Sequence, residues 1–254
     1  MTDALVARSR LQGVLQILRF NWRFYLATTG GAAVAFLVAV QLPPVLRVPL
    51  LAGCSLALYW TCSSLLAAYY IYDWYPIYQL SWLARQLPKA PRHWVNIHAG
   101  LDETSHLLPE LFPSAEGRVL DIYDPREMPE HSIKEARRMR PSPVETTPAR
   151  WNSLPLGSGT VDVALVMFAA HELRRDQARV QLFGELARAL TRDGEVALIE
   201  HTRDWANFLV FGPGFLHFFS KSAWRQTASA AGLQVRKEIL MTPFVRVFML
   251  GRTV

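Results

Sequence analysis

Trp94-Val95-Asn96-Ile97-His98-Ala99-Gly100-Leu101-Asp102-Glu103-Thr104-Ser105 is the stretch on which the reading of this chain turns. Its first five residues have the apolar weight of a buried strand. Gly100 marks a sharp turn, and Thr104 or Ser105 can cap a following helix. A strand, a turn and a helix that open an alternating α/β region form the usual seat of nucleotide-like ligands in open sheets. Loops that cradle such ligands normally carry two or three glycines, which let the backbone come close. Here Gly100 stands alone, with His98 and Asp102 where small residues are expected.

Outward from that loop the pattern keeps alternating. Strands are expected at 93–98, 118–123 and 161–168, with a short one near 144–147. Helices are expected at about 104–111, 129–139 and 174–190. Val161-Asp162-Val163-Ala164-Leu165-Val166-Met167-Phe168 is apolar on both faces, as a central parallel strand is. Asp193-Gly194 is read as a turn into a strand at 195–200. A helix at about 222–231 is stopped by Gly232, and strands at about 233–240 and 244–250 pair as a hairpin. The order predicts an α/β domain over residues 88–254: a doubly wound, mostly parallel sheet with an antiparallel edge.

Upstream the composition changes. Hydrophobic residues make up 51% of the chain and charged residues 19%, and the apolar excess lies before residue 83. Residues 24–46 and 48–72 contain no charge, and Pro43-Pro44 breaks the chain between them. Each run is long enough to cross about 30 Å of hydrocarbon as a helix. The expectation for residues 1–87 is therefore a membrane anchor: transmembrane helices at about 24–42 and 49–72, then an interfacial helix at 76–87. Arg8, Arg10, Arg19 and Arg23 precede the first run, Arg85, Lys89 and Arg92 follow the second, and the loop holds only Arg47. That asymmetry puts both termini in the cytoplasm. Tyr69, Tyr70, Tyr72, Trp74, Tyr75, Tyr78 and Trp82 suit a headgroup-level belt at that boundary. Ala27, Gly31, Ala35 and Ala39 form a small-residue stripe, read as packing against the second helix, with a homodimer through the first helix as the alternative.

The net charge of +6 is scattered, with no basic stripe interleaved with aromatics, so nucleic acid is an unsupported partner and a lipid bilayer a better one. Cys54 and Cys62 lie on one apolar helix at a spacing that cannot bridge, which suits a reducing compartment.

The downstream residues carry a resemblance. Leu154-Pro155-Leu156-Gly157-Ser158-Gly159-Thr160-Val161-Asp162-Val163-Ala164-Leu165 is similar to a segment of class I S-adenosylmethionine-dependent methyltransferases, and Ala170-His171-Glu172-Leu173 stands where that family often has His-His-Leu. Leu186 to Glu195, Ala223-Trp224 and Ala230-Ala231-Gly232-Leu233 resemble its later turns and last helix. The likeness covers about residues 93–250 and is greatest to the small-molecule or lipid branch. It implies a Rossmann-like methyltransferase fold and S-adenosyl-L-methionine as cofactor. In the register it implies, Asn96 replaces an acidic residue, His98 and Asp102 replace glycines, and Gly100 keeps the central one. Asp124, with Asp121 in reserve, would accept from the ribose. Trp151, after Arg150, would stack on adenine, and Ala170 would line the donor site.

Strand ends in the expected sheet offer His98, then His171 and Glu172, then Glu200 and His201. Methyl transfer to O, N or S releases a proton, and an imidazole with a pKa near 6.5 can accept it. His171 and His201 are the catalytic candidates. The same groups could instead bind a metal, although no short-range metal motif is present. Arg203 to Phe219, aromatic and broken by Gly212-Pro213-Gly214, could cover an acceptor pocket, dip into the membrane, or simply pack on the sheet or hairpin. The expected function is methyl transfer to a hydrophobic small-molecule or lipid-like acceptor. The alternatives are a silent binding or scaffold protein on the same fold, and a divergent, metal-dependent enzyme.

Overall fold

The computed structural model describes residues 9–139 and 145–253. Among these, strands β1 (His93–His98), β2 (Glu116–Asp121), β3 (Thr147–Pro148), β4 (Val161–Met167), β5 (Leu190–His201), β6 (Leu233–Thr242) and β7 (Val245–Arg252) form one sheet. Its order is β3-β2-β1-β4-β5-β7-β6. β3 to β5 run parallel and β7 pairs antiparallel with both β5 and β6. The expected doubly wound sheet with an antiparallel edge is what forms. β1 sits beside β2 and β4, and the order reverses there, so the loop after β1 opens at the switch point where ligands bind. Asp193-Gly194 is not a separate turn. It stays within β5, and the irregularity appears as a register shift against β4 between Val161 and Val163. Of the strand expected at 144–147, Val144 lies outside the described residues.

Local chemistry fixes β1. Asp162 accepts from the backbone N–H groups of Arg92 (2.8 Å) and His93 (3.1 Å), which ties the strand's entry to β4. Gly117 on β2 leaves room for the Trp94 ring, since a Cβ there would lie 1.9 Å from it. The short helix α5 (Leu108–Leu111) follows a single 3-10 turn, Ser105–Leu107, so the helix expected at 104–111 is present in two pieces.

One face of the sheet is covered by α6 (His131–Met139), α7 (Asp176–Ala189) and α9 (Lys221–Ala230), through Ile133, Leu182, Phe183 and Trp224. The other is covered by the end of the N-terminal region. α1 (Gln12–Phe20), α2 (Trp22–Ala39) and α3 (Pro44–Tyr69) precede a π turn, Tyr70–Trp74, a 3-10 turn, Ile77–Gln79, and α4 (Ser81–Gln86). Ile71, Ile77, Leu80 and Leu83 are wholly buried against Val163, Leu165, Ile199 and Val247. The segment 76–87 is thus a 3-10 turn and a short helix that pack one side on the sheet and leave Gln79, Ser81, Ala84 and Arg85 exposed. Burying Ile71, Ile77, Leu80 and Leu83 recovers about 1.5–3 kcal/mol each.

The hairpin forms as expected, α2 and α3 antiparallel with Pro43 as N-cap and Pro44 at the first helical position. Arg47 donates to the carbonyls of Ala39 (3.2 Å) and Leu42 (2.8 Å), closing the end of α2. The small-residue stripe needs correction. The shielded side of α2 runs through Tyr25, Thr28, Ala32, Ala35 and Ala39, while Ala27 and Gly31 face outward. A strict spacing of four drifts off a helix face that turns every 3.6 residues. Both helices are long and apolar enough to cross a membrane. Their outer faces carry Leu37 at 66% and Val45 at 77% exposure.

Candidate functional site

A cavity of about 740 Å³ opens at the carboxyl ends of β1, β4 and β5 and runs under α1 into the groove between α2 and α3. Four of the expected donor residues, Asn96, His98, Gly100 and Asp102, line it, together with both expected catalytic residues, His171 and His201.

The β1 loop is built around Asp102. Its Oδ1 accepts from the backbone N–H groups of Thr104 (3.1 Å) and Ser105 (3.0 Å), and from Asn96 Nδ2 (3.3 Å). Asn96 Nδ2 also donates to Ser105 Oγ at 2.6 Å. Asp102 therefore does the turn-forming work that glycines do elsewhere. Gly100 has φ +152°, a conformation L side chains rarely adopt, and a Cβ there would meet the Arg137 side chain at 2.4 Å. Asn96 Oδ1 and both ring nitrogens of His98 are buried without a hydrogen-bond partner among the described residues. Burial pushes the His98 pKa down, with Asp102 and Asp121 opposing, so its ring is neutral and keeps an acceptor nitrogen. Orphaned acceptors on a cavity wall call for a ligand with donors.

The remaining donor candidates sit elsewhere. Asp121 ends β2 opposite His98, where a ribose-binding carboxylate belongs, but Arg137 from α6 holds it at 2.7 and 2.9 Å. Arg137 also donates to Ala99 O (3.1 Å) and stacks on Tyr123. Asp124, the favoured residue, instead accepts from Arg126 N–H (2.9 Å) in the turn that follows β2. Neither carboxylate lines the cavity, and Asp121, in register with His98, lies nearer to it in the sheet. Trp151 and Ala170 are buried in the core cluster and do not line the cavity. The Trp151 indole fills space beside the sheet where exposure to a base would be needed for stacking.

At the far end the two histidines differ in state. His171 Nδ1 bonds Glu200 Oε2 at 2.8 Å, its Nε2 lies 3.4 Å from Glu172 Oε1, and its backbone N–H donates to Glu200 Oε1 (3.2 Å). Burial alone would lower its pKa, but Glu200, with Glu172, holds it well above 6.5. His171 is an imidazolium between two carboxylates. His201 is stacked between Phe168 (5.1 Å) and Phe218 (4.7 Å). Its Nδ1–H donates to Phe244 O (3.0 Å), so its Nε2 must accept from the Tyr72 hydroxyl at 2.8 Å. Burial lowers its pKa to about 4, and its ring stays neutral. Neither ring is a ready proton acceptor at neutral pH: one already holds its proton and the other has both nitrogens engaged. Glu172 Oε2 lacks a partner among the described residues, and Glu172 lines the cavity. It is the free basic atom of the cluster. A second pair, His217 Nδ1 and Glu130 Oε1 at 3.3 Å, flanks it. The hydrogen bond from His217, against the opposing effect of burial, holds Glu130 below the usual carboxylate range. Among the described residues no group of three or more His, Cys, Asp or Glu converges to hold a metal ion.

The N-terminal helices close the site. Asp73, in the π turn, accepts from the N–H groups of Gly13 (2.6 Å) and Val14 (2.9 Å) at the start of α1, and Gln12 donates to Glu103 beyond the donor loop (3.0 Å). The segment 203–219 forms α8 (Trp205–Phe211) and a 3-10 turn, Gly212–His217. It packs on α3, where Ser63 Oγ donates to Val210 O (2.8 Å) and Gly212, at φ +53°, lies over the Trp60 ring. Phe211, Pro213, Gly214 and Phe218 from this segment line the cavity, so it covers the pocket and packs on the hairpin at once. α1 carried no motif, and Tyr72 read only as one of the belt aromatics. The π turn that aims Tyr72 inward has no sequence signature, although such turns gather at functional sites.

No protein-family model and no curated protein sequence matches the chain. Solved structures do. Mitomycin 7-O-methyltransferase MmcR aligns with 97% of this chain and 74% of its own at 18% identity and a TM-score of 0.54. The pyocyanin biosynthetic protein PhzM aligns with 94% of this chain and 73% of its own at 16% identity and a TM-score of 0.54. At these identities the likeness is one of fold, and the chain has the Rossmann-like methyltransferase fold that the resemblance implies. Both alignments take in the N-terminal helices, so it is the apolar outer faces of α2 and α3, and not their presence, that bear on a membrane.

Proposed function

We propose that the chain is a membrane-held methyltransferase that uses S-adenosylmethionine and acts on a hydrophobic acceptor, with both termini on the cytoplasmic side. The observation that carries this reading is the single cavity shared by the β1 loop, the His171 cluster and the hairpin. The donor's ammonium and hydroxyl groups match the orphaned acceptors Asn96 Oδ1 and His98, and Asp121 would hold the ribose once Arg137 yields it. S-adenosylmethionine supplies an electrophilic methyl group on a sulfonium. An acceptor hydroxyl or amine that gains a methyl must lose a proton, and Glu172 Oε2 takes it. His171 and Glu200 hold Glu172 in place and share the charge. The apolar acceptor is supported by the cavity's aromatic walls, Trp60, Phe168, Phe211 and Phe218. The name of mitomycin 7-O-methyltransferase, whose fold this chain shares, fits an oxygen nucleophile.

Calorimetry with S-adenosylhomocysteine on detergent-purified protein tests the donor half. Wild type is expected to bind, Asp121→Asn to weaken binding about tenfold, as loss of a hydrogen bond to a charged group does, and Asp124→Asn to leave it within about twofold. Absence of binding at millimolar ligand would favour the silent scaffold, a reading that the Arg137–Asp121 pair supports.

A further inference from the structure

Several residues that line the cavity lie far from the sheet. Gly53, Leu56, Ala57, Trp60, Thr61 and Ser64 recur at spacings of three, one, three, one and three along α3, which puts them on one helix face. Lining residues on this helix extend to Ala68, so the groove follows it for about 22 Å at 1.5 Å per residue. Tyr25 and Thr28 form the facing wall on α2. Charged lining side chains gather at the sheet end, at Glu172, His171, the Glu130–His217 pair and the β1 loop. The lining on α2 and α3 carries no charge and only hydroxyls such as Thr28, Thr61 and Ser64 among apolar groups, along helices long enough to span a bilayer. Lining residues of the hairpin that are also open to the outside are Phe24 (64% exposed), Leu56 (46%) and Gly53. They form a rim through which the groove opens sideways between the two apolar helices.

From this we infer that the acceptor is a single-chain amphiphile taken up laterally from the bilayer. Its proton-bearing head sits at Glu172 Oε2 and its chain lies in the groove between α2 and α3, reaching Gly53. The inference rests on the reading of the chain as a membrane-held methyltransferase. The cavity of about 740 Å³ must also hold the donor beside the β1 loop, so the space left along α2 and α3 suits one chain and not the two of a phospholipid. The partnerless carboxylate oxygen selects a head that donates a proton, such as a phenol, an alcohol or an ammonium. Because lipid tails are as apolar as the groove, entry gains little from the hydrophobic effect, and shape decides what is held.

A 4-alkylphenol with a photoreactive diazirine at the chain end tests this on the full chain in phospholipid nanodiscs. Irradiation is expected to label Gly53–Trp60 on α3, and unlabelled long-chain 4-alkylphenol should compete at least fivefold better than phenol itself. Ala57→Trp, which fills the groove, should cut that labelling about tenfold. Leu58→Trp, on the exposed side of the same helix, should not change it and controls for folding. Labelling that spreads evenly to the Leu58 side, or that no competitor reduces, would overturn the inference. S-adenosylhomocysteine binding measured on the same samples separates the two claims. Donor binding without groove labelling removes the single-chain acceptor alone, and groove labelling without donor binding removes the methyltransferase reading on which it stands.

Discussion

Glu172→Gln is expected to lower kcat by about a hundred- to ten-thousand-fold, the usual contribution of a positioned proton acceptor. It should leave S-adenosylhomocysteine affinity unchanged, because Glu172 sits at the His171 end of the cavity and not on the β1 loop. His171 is held charged by Glu200 and Glu172, and His201 has one nitrogen donating to Phe244 and the other accepting from Tyr72. At this end of the cavity, among the described residues, Glu172 Oε2 is a buried carboxylate oxygen with no partner, on a residue that lines the cavity. Glutamine keeps the size and removes the basicity, so folding should survive. A single-turnover rate within about threefold of wild type would remove Glu172 from the role and return it to His171.

The second large effect is on stability. Glu200→Gln should cost about 3 kcal/mol near pH 6, the lower end of what breaking a buried ion pair costs, since glutamine can still accept from the His171 backbone N–H. Glu200 is 1% exposed and meets His171 at 2.8 Å. The folded pKa of His171 is raised above its unfolded value of about 6.5. Its ion pair therefore stabilises the fold fully below about pH 6.5 and loses that effect as pH rises through the raised folded value. Melting in detergent should show the widest gap in Tm between wild type and variant below about pH 6.5, narrowing at higher pH. A gap that widens as pH rises would contradict the assignment of His171 as the charged partner.

Much of this architecture was legible in residue order. The run from Val161 to Phe168 declares a central parallel strand because both its faces are apolar, and its neighbours follow from length and turn chemistry. The hairpin helices were readable for a related reason: long apolar runs bounded by prolines and charges. The site was legible where spacing along the chain carries it. Gly100, Asn96, His98 and Asp102 lie within one loop, and His171 and His201 follow strands. It was illegible where distant segments decide. Nothing local says that Arg137, sixteen residues beyond Asp121, returns to pair with it, or that Trp151 is consumed by the core. The protonation of the two histidines depends on which partners the fold supplies, Glu200 for one and Tyr72 with Phe244 for the other. The helix face in contact across the hairpin was misjudged because four-residue spacing only approximates a helical turn.

The hairpin has a double role in this account. Its outer faces are apolar and exposed and its inner face is part of the cavity wall, so under the proposed function anchoring and acceptor binding share the same two helices. Asp73 and Tyr72, adjacent in the π turn, connect the end of α3 to α1 on one side and to His201 on the other. Detaching the anchor would therefore remove part of the site, and tests of activity belong on the full chain in a bilayer.

The most direct test uses native membranes that contain the full chain, incubated with S-adenosylmethionine carrying a tritiated methyl group and then extracted with organic solvent. The account predicts label in the organic phase, on a single-chain species, which falls to background with Glu172→Gln. Label confined to water-soluble products, or none in either phase from protein that binds S-adenosylhomocysteine, would contradict it.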